Sequence, residues 1–132
     1  MTQTLAASGT IGAGAEEATN RFVTLTFERE VAAPPSTLWL AWSDPAARAV
    51  WAAPAPSVTV EFLEADTRVG GREISLCKVA GQPAIVCENG WLVLQPPIRS
   101  VNYEVISCEG VTQSAALVTA DISGTGKQSR LL

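Results

Sequence analysis

The placement of prolines within residues 28–51 restricts this chain more than any other feature. The stretch reads Glu-Arg-Glu-Val-Ala-Ala-Pro-Pro-Ser-Thr-Leu-Trp-Leu-Ala-Trp-Ser-Asp-Pro-Ala-Ala-Arg-Ala-Val-Trp. Pro34 and Pro35 end the extended segment before them and open a helix, where a missing N–H costs nothing and φ is already suitable. Asp44-Pro45 repeats the device: Asp44 is placed to cap a second short helix that starts at Pro45 and ends at Trp51. Leu38, Trp39 and Trp42 fall within one helical turn and form an apolar stripe that needs a large partner. A sheet built by the rest of the chain is the economical candidate.

The flanking residues supply such a sheet. Residues 22–31 alternate, with Val23, Leu25, Phe27 and Val31 set against Thr24, Thr26, Glu28 and Glu30, the pattern of a half-buried strand. After Pro54-Ala55-Pro56 come β-rich runs at 57–66, 72–79, 84–94, 98–107, 112–122 and 127–132. They are divided by Val69-Gly70-Gly71, Gly81-Gln82-Pro83, Pro96-Pro97, Glu109-Gly110 and Gly124-Thr125-Gly126, all turn chemistry. Short runs with no helix between them predict hairpins and an antiparallel meander.

The totals exclude several functions. A chain of 132 residues with 47% hydrophobic and 17% charged residues is one globular domain. Net charge -4 with scattered Lys and Arg argues against nucleic acid, and the apolar runs are too short for a membrane span. Residues 1–20 lack a basic start and a continuous apolar core, so they read as a flexible tail rather than a secretory signal, which leaves the cytoplasm as the expected compartment. With no His, and with Cys77, Cys87 and Cys108 in no Cys-x-x-Cys spacing, neither a metal site nor a cofactor is expected. Regular pairing around Ala80 to Pro83 sets Cys77 and Cys87 on opposite faces, so no disulfide is predicted. Gly9-Thr10-Ile11-Gly12-Ala13-Gly14 follows no strand, and Gly124-Thr125-Gly126-Lys127 lacks the rest of a phosphate loop.

Arg29, Val31, Ala33, Pro34, Trp39, Ala41, Trp42, Ser43, Asp44, Pro45 and Trp51 match a pattern of the START-like (SRPBCC) superfamily. The chain resembles in particular the branch named after the activator of heat-shock-protein-90 ATPase. Arg68-Val69-Gly70-Gly71-Arg72 and Gln95-Pro96-Pro97-Ile98-Arg99 are weaker echoes of the same branch. The resemblance implies an α+β helix-grip domain over residues 21–132: a curved antiparallel sheet of six or seven strands, with two short helices after the first. Relatives close their cavity with a long C-terminal helix. This chain stops at Gln128-Ser129-Arg130-Leu131-Leu132, within the expected last strand, so the domain reads as C-terminally incomplete and its uncovered sheet face as open to a homodimer.

Side-chain alternation, laid on that fold, gives a lining for the groove. Val60 and Phe62 share a face, and pairing around Gly70-Gly71 brings Ile74 and Leu76 to it. Continuing the register adds Ile85, Cys87, Trp91 and Val93, and the helices supply Trp39 and Trp51. Two accounts compete for the next strand. Regular pairing across Pro96-Pro97 turns Asn102 and Glu104 inward and gives a groove for a polar head group; a β-bulge would turn Tyr103 inward and spare an unpaired carboxylate from burial. The expected lining is therefore Trp39, Trp51, Val60, Phe62, Ile74, Leu76, Trp91, Tyr103 and Glu104. The resemblance implies a non-enzymatic module binding an apolar small molecule. The alternatives are a co-chaperone domain acting on the heat-shock-protein-90 ATPase in the stress response, or a polyketide-cyclase-like enzyme on an aromatic substrate. No catalytic residue is assigned: Glu104, Glu61, Glu88 and Asp121 read as solvated strand faces.

Overall fold

The computed structural model describes residues 2–11, 20–124 and 129–131. In chain order these form β1 (Thr2–Ile11), β2 (Asn20–Val31), α1 (Pro35–Ser43), α2 (Pro45–Trp51), β3 (Val58–Ala65), β4 (Arg72–Val79), β5 (Ile85–Gln95), β6 (Arg99–Cys108), β7 (Val111–Ser123) and β8 (Ser129–Leu131). The strands lie in the order β1-β2-β8-β7-β6-β5-β4-β3, and every pair is antiparallel. The expected meander is the continuous run β3 to β7, with α1 and α2 inserted before it. The architecture is α+β, an antiparallel sheet with two short helices among the described residues.

The helix starts follow from local chemistry. Pro34 occupies the cap of α1 in extended geometry with Pro35 at the first helical position. Asp44 closes α1, its N–H donating to Leu40 O, and opens α2, its carboxylate accepting from Ala46 N. Ser43 Oγ donates to Trp39 O at 2.8 Å, a bond that satisfies a hydroxyl buried under the helix.

The sheet has eight strands among the described residues, not the six or seven expected, and two further expectations need correction. Residues 2–11, read as part of a flexible tail, form β1 and pair with β2 from Thr2↔Glu28 to Ile11↔Asn20. An alternating strand such as β2 presents unpaired N–H and C=O groups, and a neighbouring extended segment satisfies them. The second concerns register. Glu64 pairs with Ile74 and Ala65 with Glu73, but Phe62 pairs with Ser75 and Val60 with Cys77. The extra residue at Leu63 is a β-bulge, and a one-residue shift moves every partner side chain to the other face. Glu73, Ser75 and Cys77 thereby take the helix-facing side, in place of Ile74 and Leu76.

The hairpin of helices spans the sheet unevenly. α1 packs against β7 and β8, whereas α2 packs against β3. Among the described residues the buried apolar core is small and consists of Trp39, Trp91, Ala120 and Ile122. Strands β4, β5 and β6 lie between the two helix contacts, and their helix-facing side forms the floor of a hollow. On β2, Val23, Leu25 and Phe27 are about half exposed. No helix of the described residues is long and apolar enough to cross a membrane.

Candidate functional site

The hollow is a cavity of about 420 Å³, within the usual range for a small-molecule site. α1 and α2 contribute Trp42, Arg48 and Trp51, and Ala52 follows. β3 gives Val60 and Phe62; β4 gives Glu73, Ser75 and Cys77. From β5 come Cys87, Asn89 and Trp91, from β6 Asn102 and Glu104, and from β7 Val118. The register explains the set: Val60↔Cys77, Phe62↔Ser75, Ser75↔Cys87, Asn89↔Glu104 and Asn102↔Val118 are direct neighbours across the sheet.

The roof is held by tryptophans. Trp42 and Trp51 stack with centroids 5.7 Å apart and planes inclined by 16°. Trp51 Nε1 donates to Ala41 O at 2.7 Å, so the ring of α2 is anchored on the backbone of α1. Trp42 Nε1 donates to Ser100 Oγ at 2.9 Å, which ties α1 to β6. The indoles thus present apolar faces while their single donors are satisfied.

Beneath the roof lies a buried charge pair. Glu73 is 1% exposed and Arg48 is mostly covered. One Arg48 nitrogen, Nη2, lies 2.8 Å from both carboxylate oxygens. Trp91 Nε1 donates to Glu73 Oε1 at 3.0 Å, Asn89 Nδ2 to Oε2 at 3.2 Å and Thr67 Oγ1 to Oε1 at 3.2 Å. The Arg48 guanidinium lies 5.0 Å from the Phe62 ring centroid and 5.4 Å from that of Trp91, within cation–π range. Its Nε is fully buried with no partner. A buried carboxylate is tolerable only with such a set of donors around it.

The polar chain continues along the floor. Asn102 Nδ2 donates to Asn89 Oδ1, whose own amide donates to Glu73. Asn102 is thereby linked to Glu73 through Asn89. Glu104 stands apart: among the described residues no cation pairs with it, and it accepts from the Cys87 thiol. Burial and then the Glu104 charge push the Cys87 thiol up to about 12. Arg72, on the solvent side, is raised by its hydrogen bond and charge interaction with Glu64.

Of the nine residues expected at the groove, Trp51, Val60, Phe62, Trp91 and Glu104 stand in the cavity wall. Trp39 is buried core beneath α1, and the Leu63 bulge takes Ile74 and Leu76 to the opposite face. Tyr103 is also on that face, against Gly90, where an added Cβ would come within 2.0 Å of its ring. Of the two accounts of β6, Asn102 and Glu104 face inward, but pairing across Pro96-Pro97 is not regular: Gln95↔Arg99 to Val93↔Val101 is followed by a bulge at Leu92 on β5, and only from Trp91↔Asn102 to Ile85↔Cys108 is the register continuous. Cys77 and Cys87 share the cavity face rather than opposing ones, because Cys77 pairs with Ile85, two residues from Cys87; all three cysteines are free thiols. Arg48, Glu73, Asn89 and Asn102 form the polar centre, and Arg48 and Asn89 carried no sequence expectation. The available signal was that Arg48 is the one charged residue in Pro-Ala-Ala-Arg-Ala-Val-Trp.

Among the described residues no group of three or more His, Cys, Asp or Glu is arranged to hold a metal. Fold and site together define a class: an α+β domain with a cavity between a helical hairpin and an antiparallel sheet. No protein-family model matches the chain, and no curated protein matches it. Solved structures do. The chain is similar to Mll3558 of Rhizobium loti, at 27% identity and TM-score 0.68 over 80% of this chain and 71% of that one. CV1439 of Chromobacterium violaceum matches at 24% identity and TM-score 0.67, over 80% and 72%. CalU16 of Micromonospora echinospora matches at 21% identity and TM-score 0.56, over 98% of this chain and 66% of its own. The last two likenesses carry fold alone.

Proposed function

We propose that this is a START-like, helix-grip domain that binds a small, largely apolar molecule between its helical hairpin and its sheet. The observation that carries the reading is the cavity of about 420 Å³ walled by Trp42, Trp51, Phe62 and Trp91. Strand, two short helices and meander occur in the order that the resemblance implies, which supports the fold assignment. An apolar ligand there removes its own surface and that of the indoles from water, at roughly 25 cal/mol for each Å² buried.

The neutral probe N-phenyl-1-naphthylamine, whose emission rises in apolar surroundings, tests this directly. Saturable enhancement with the wild-type protein, lost in Val118→Trp, which fills the cavity from β7, is the expected result. Enhancement that is unsaturable or unchanged in Val118→Trp would assign the probe to exposed apolar surface such as that of β2 and end the reading.

A further inference from the structure

Resting on the cavity as a ligand site, we infer that its ligand carries a cationic head group, a protonated amine on an apolar body, which pairs with Glu104. The argument is a count of charge and of hydrogen-bond donors. Three charged side chains line the cavity: Arg48, Glu73 and Glu104. Arg48 is committed to Glu73 through two contacts of 2.8 Å, which leaves the cavity with one uncompensated negative charge. Several floor donors are engaged as well. Asn102 donates to Asn89, Asn89 to Glu73, and Trp91 to Glu73. Arg48 Nε is without a partner, yet it has no surface open to the cavity.

Of the three charges, the Glu104 carboxylate is therefore the one left for a ligand to pair with. In the empty cavity water can solvate that carboxylate. A neutral apolar ligand expels the water and offers nothing in return, at the desolvation cost of a charged group. An anion adds repulsion. An amine restores both the lost hydrogen bonds and the charge balance, in surroundings where water screens the attraction poorly. Trp51 and Val118, which also line the cavity, leave room for a flat ring system as the body.

Three probes with one ring separate the terms: 2-(aminomethyl)naphthalene, 2-naphthalenemethanol and 2-naphthoate, titrated calorimetrically near pH 7. The amine is expected to bind at least about tenfold more tightly than the alcohol, the size of a charge-assisted hydrogen bond, and the carboxylate least tightly of the three. In Glu104→Gln the amine's advantage disappears while the alcohol's affinity changes by less than about threefold. Alcohol binding that equals amine binding in the wild type overturns the head-group inference and leaves the cavity reading standing. An amine preference that survives in Glu104→Gln overturns the assignment to Glu104. Binding of none of the three removes the cavity reading and this inference together. The wild-type comparison uses no variant, so poor folding of Glu104→Gln leaves it decisive.

Discussion

Arg48 and Glu73 show how a single charged residue on an otherwise apolar element can carry a site. Glu73 is 1% exposed, and its carboxylate is surrounded by the guanidinium and by donors from Thr67, Asn89 and Trp91. Removing one partner strands the other, which typically costs about 3–5 kcal/mol, whereas replacing both by apolar groups is often near neutral. Arg48→Met is therefore expected to lower stability by about 3–5 kcal/mol in urea unfolding, and Arg48→Met/Glu73→Met by clearly less. Cys87 gives a prediction of a different kind. Its folded value of about 12 lies above the ordinary thiol value of 9.0, so the folded protein keeps a proton that the unfolded chain gives up. The stabilisation is complete below the lower value and is lost as pH rises through the window up to the higher one. The urea midpoint of the wild type should fall more steeply than that of Cys87→Ser between about pH 9 and about pH 11, and parallel curves would contradict the burial of this thiol beside Glu104.

At the scale of elements, what could be read from sequence depended on whether the information was local. The paired helix starts were legible because Pro34, Pro35, Asp44 and Pro45 act on their own backbone, and the same residues cap and open α1 and α2. The meander was legible from its turns. The facing of β4 was not, because nothing in Glu61-Phe62-Leu63-Glu64 announces a bulge, and one inserted residue exchanges Ile74 and Leu76 for Glu73 and Ser75. β1 escaped notice for a related reason: its centre, Ala-Ala-Ser-Gly, carries little strand signal without the partner it pairs with. The β6–β7 turn offers an element-scale test. Glu109 and Gly110 have φ of 50° and 78°, the positive pair that a two-residue type I′ hairpin requires. Glutamate is poorly suited to that region, whereas asparagine enters it readily. Glu109→Asn should raise stability by about 0.5–1 kcal/mol, seen as a higher melting temperature with unchanged ligand binding. Gly71→Ala should act in the opposite direction, since its Cβ would lie 2.0 Å from Asp66 O, a backbone atom; a loss of about 1–3 kcal/mol is expected.

For the whole molecule, the question is what keeps a cavity open in a domain whose buried apolar core is, among the described residues, only four side chains. The helical hairpin is fastened at three places: Trp42 to Ser100, Arg48 to Glu73, and the Trp51 ring to Ala41 of its neighbour helix. Two of these fix α1 and α2 to the sheet, and the third makes the helices one body through the Trp42–Trp51 stack. The fastenings therefore act together. With the stack intact, losing Arg48 leaves α2 held through α1; with the stack gone, α2 depends on Arg48 alone. Trp51→Ala and Arg48→Met should consequently be non-additive, with an interaction term within about 0.5–3 kcal/mol in a double-mutant cycle of urea unfolding. The sign carries the mechanism. A double variant less stable than the sum of the single losses means that each fastening backs up the other. A double variant more stable than that sum means that either loss alone already frees α2. Additivity within about 0.5 kcal/mol would mean that α1 and α2 are held independently, and the cavity would then be bounded by two separate covers rather than by one roof.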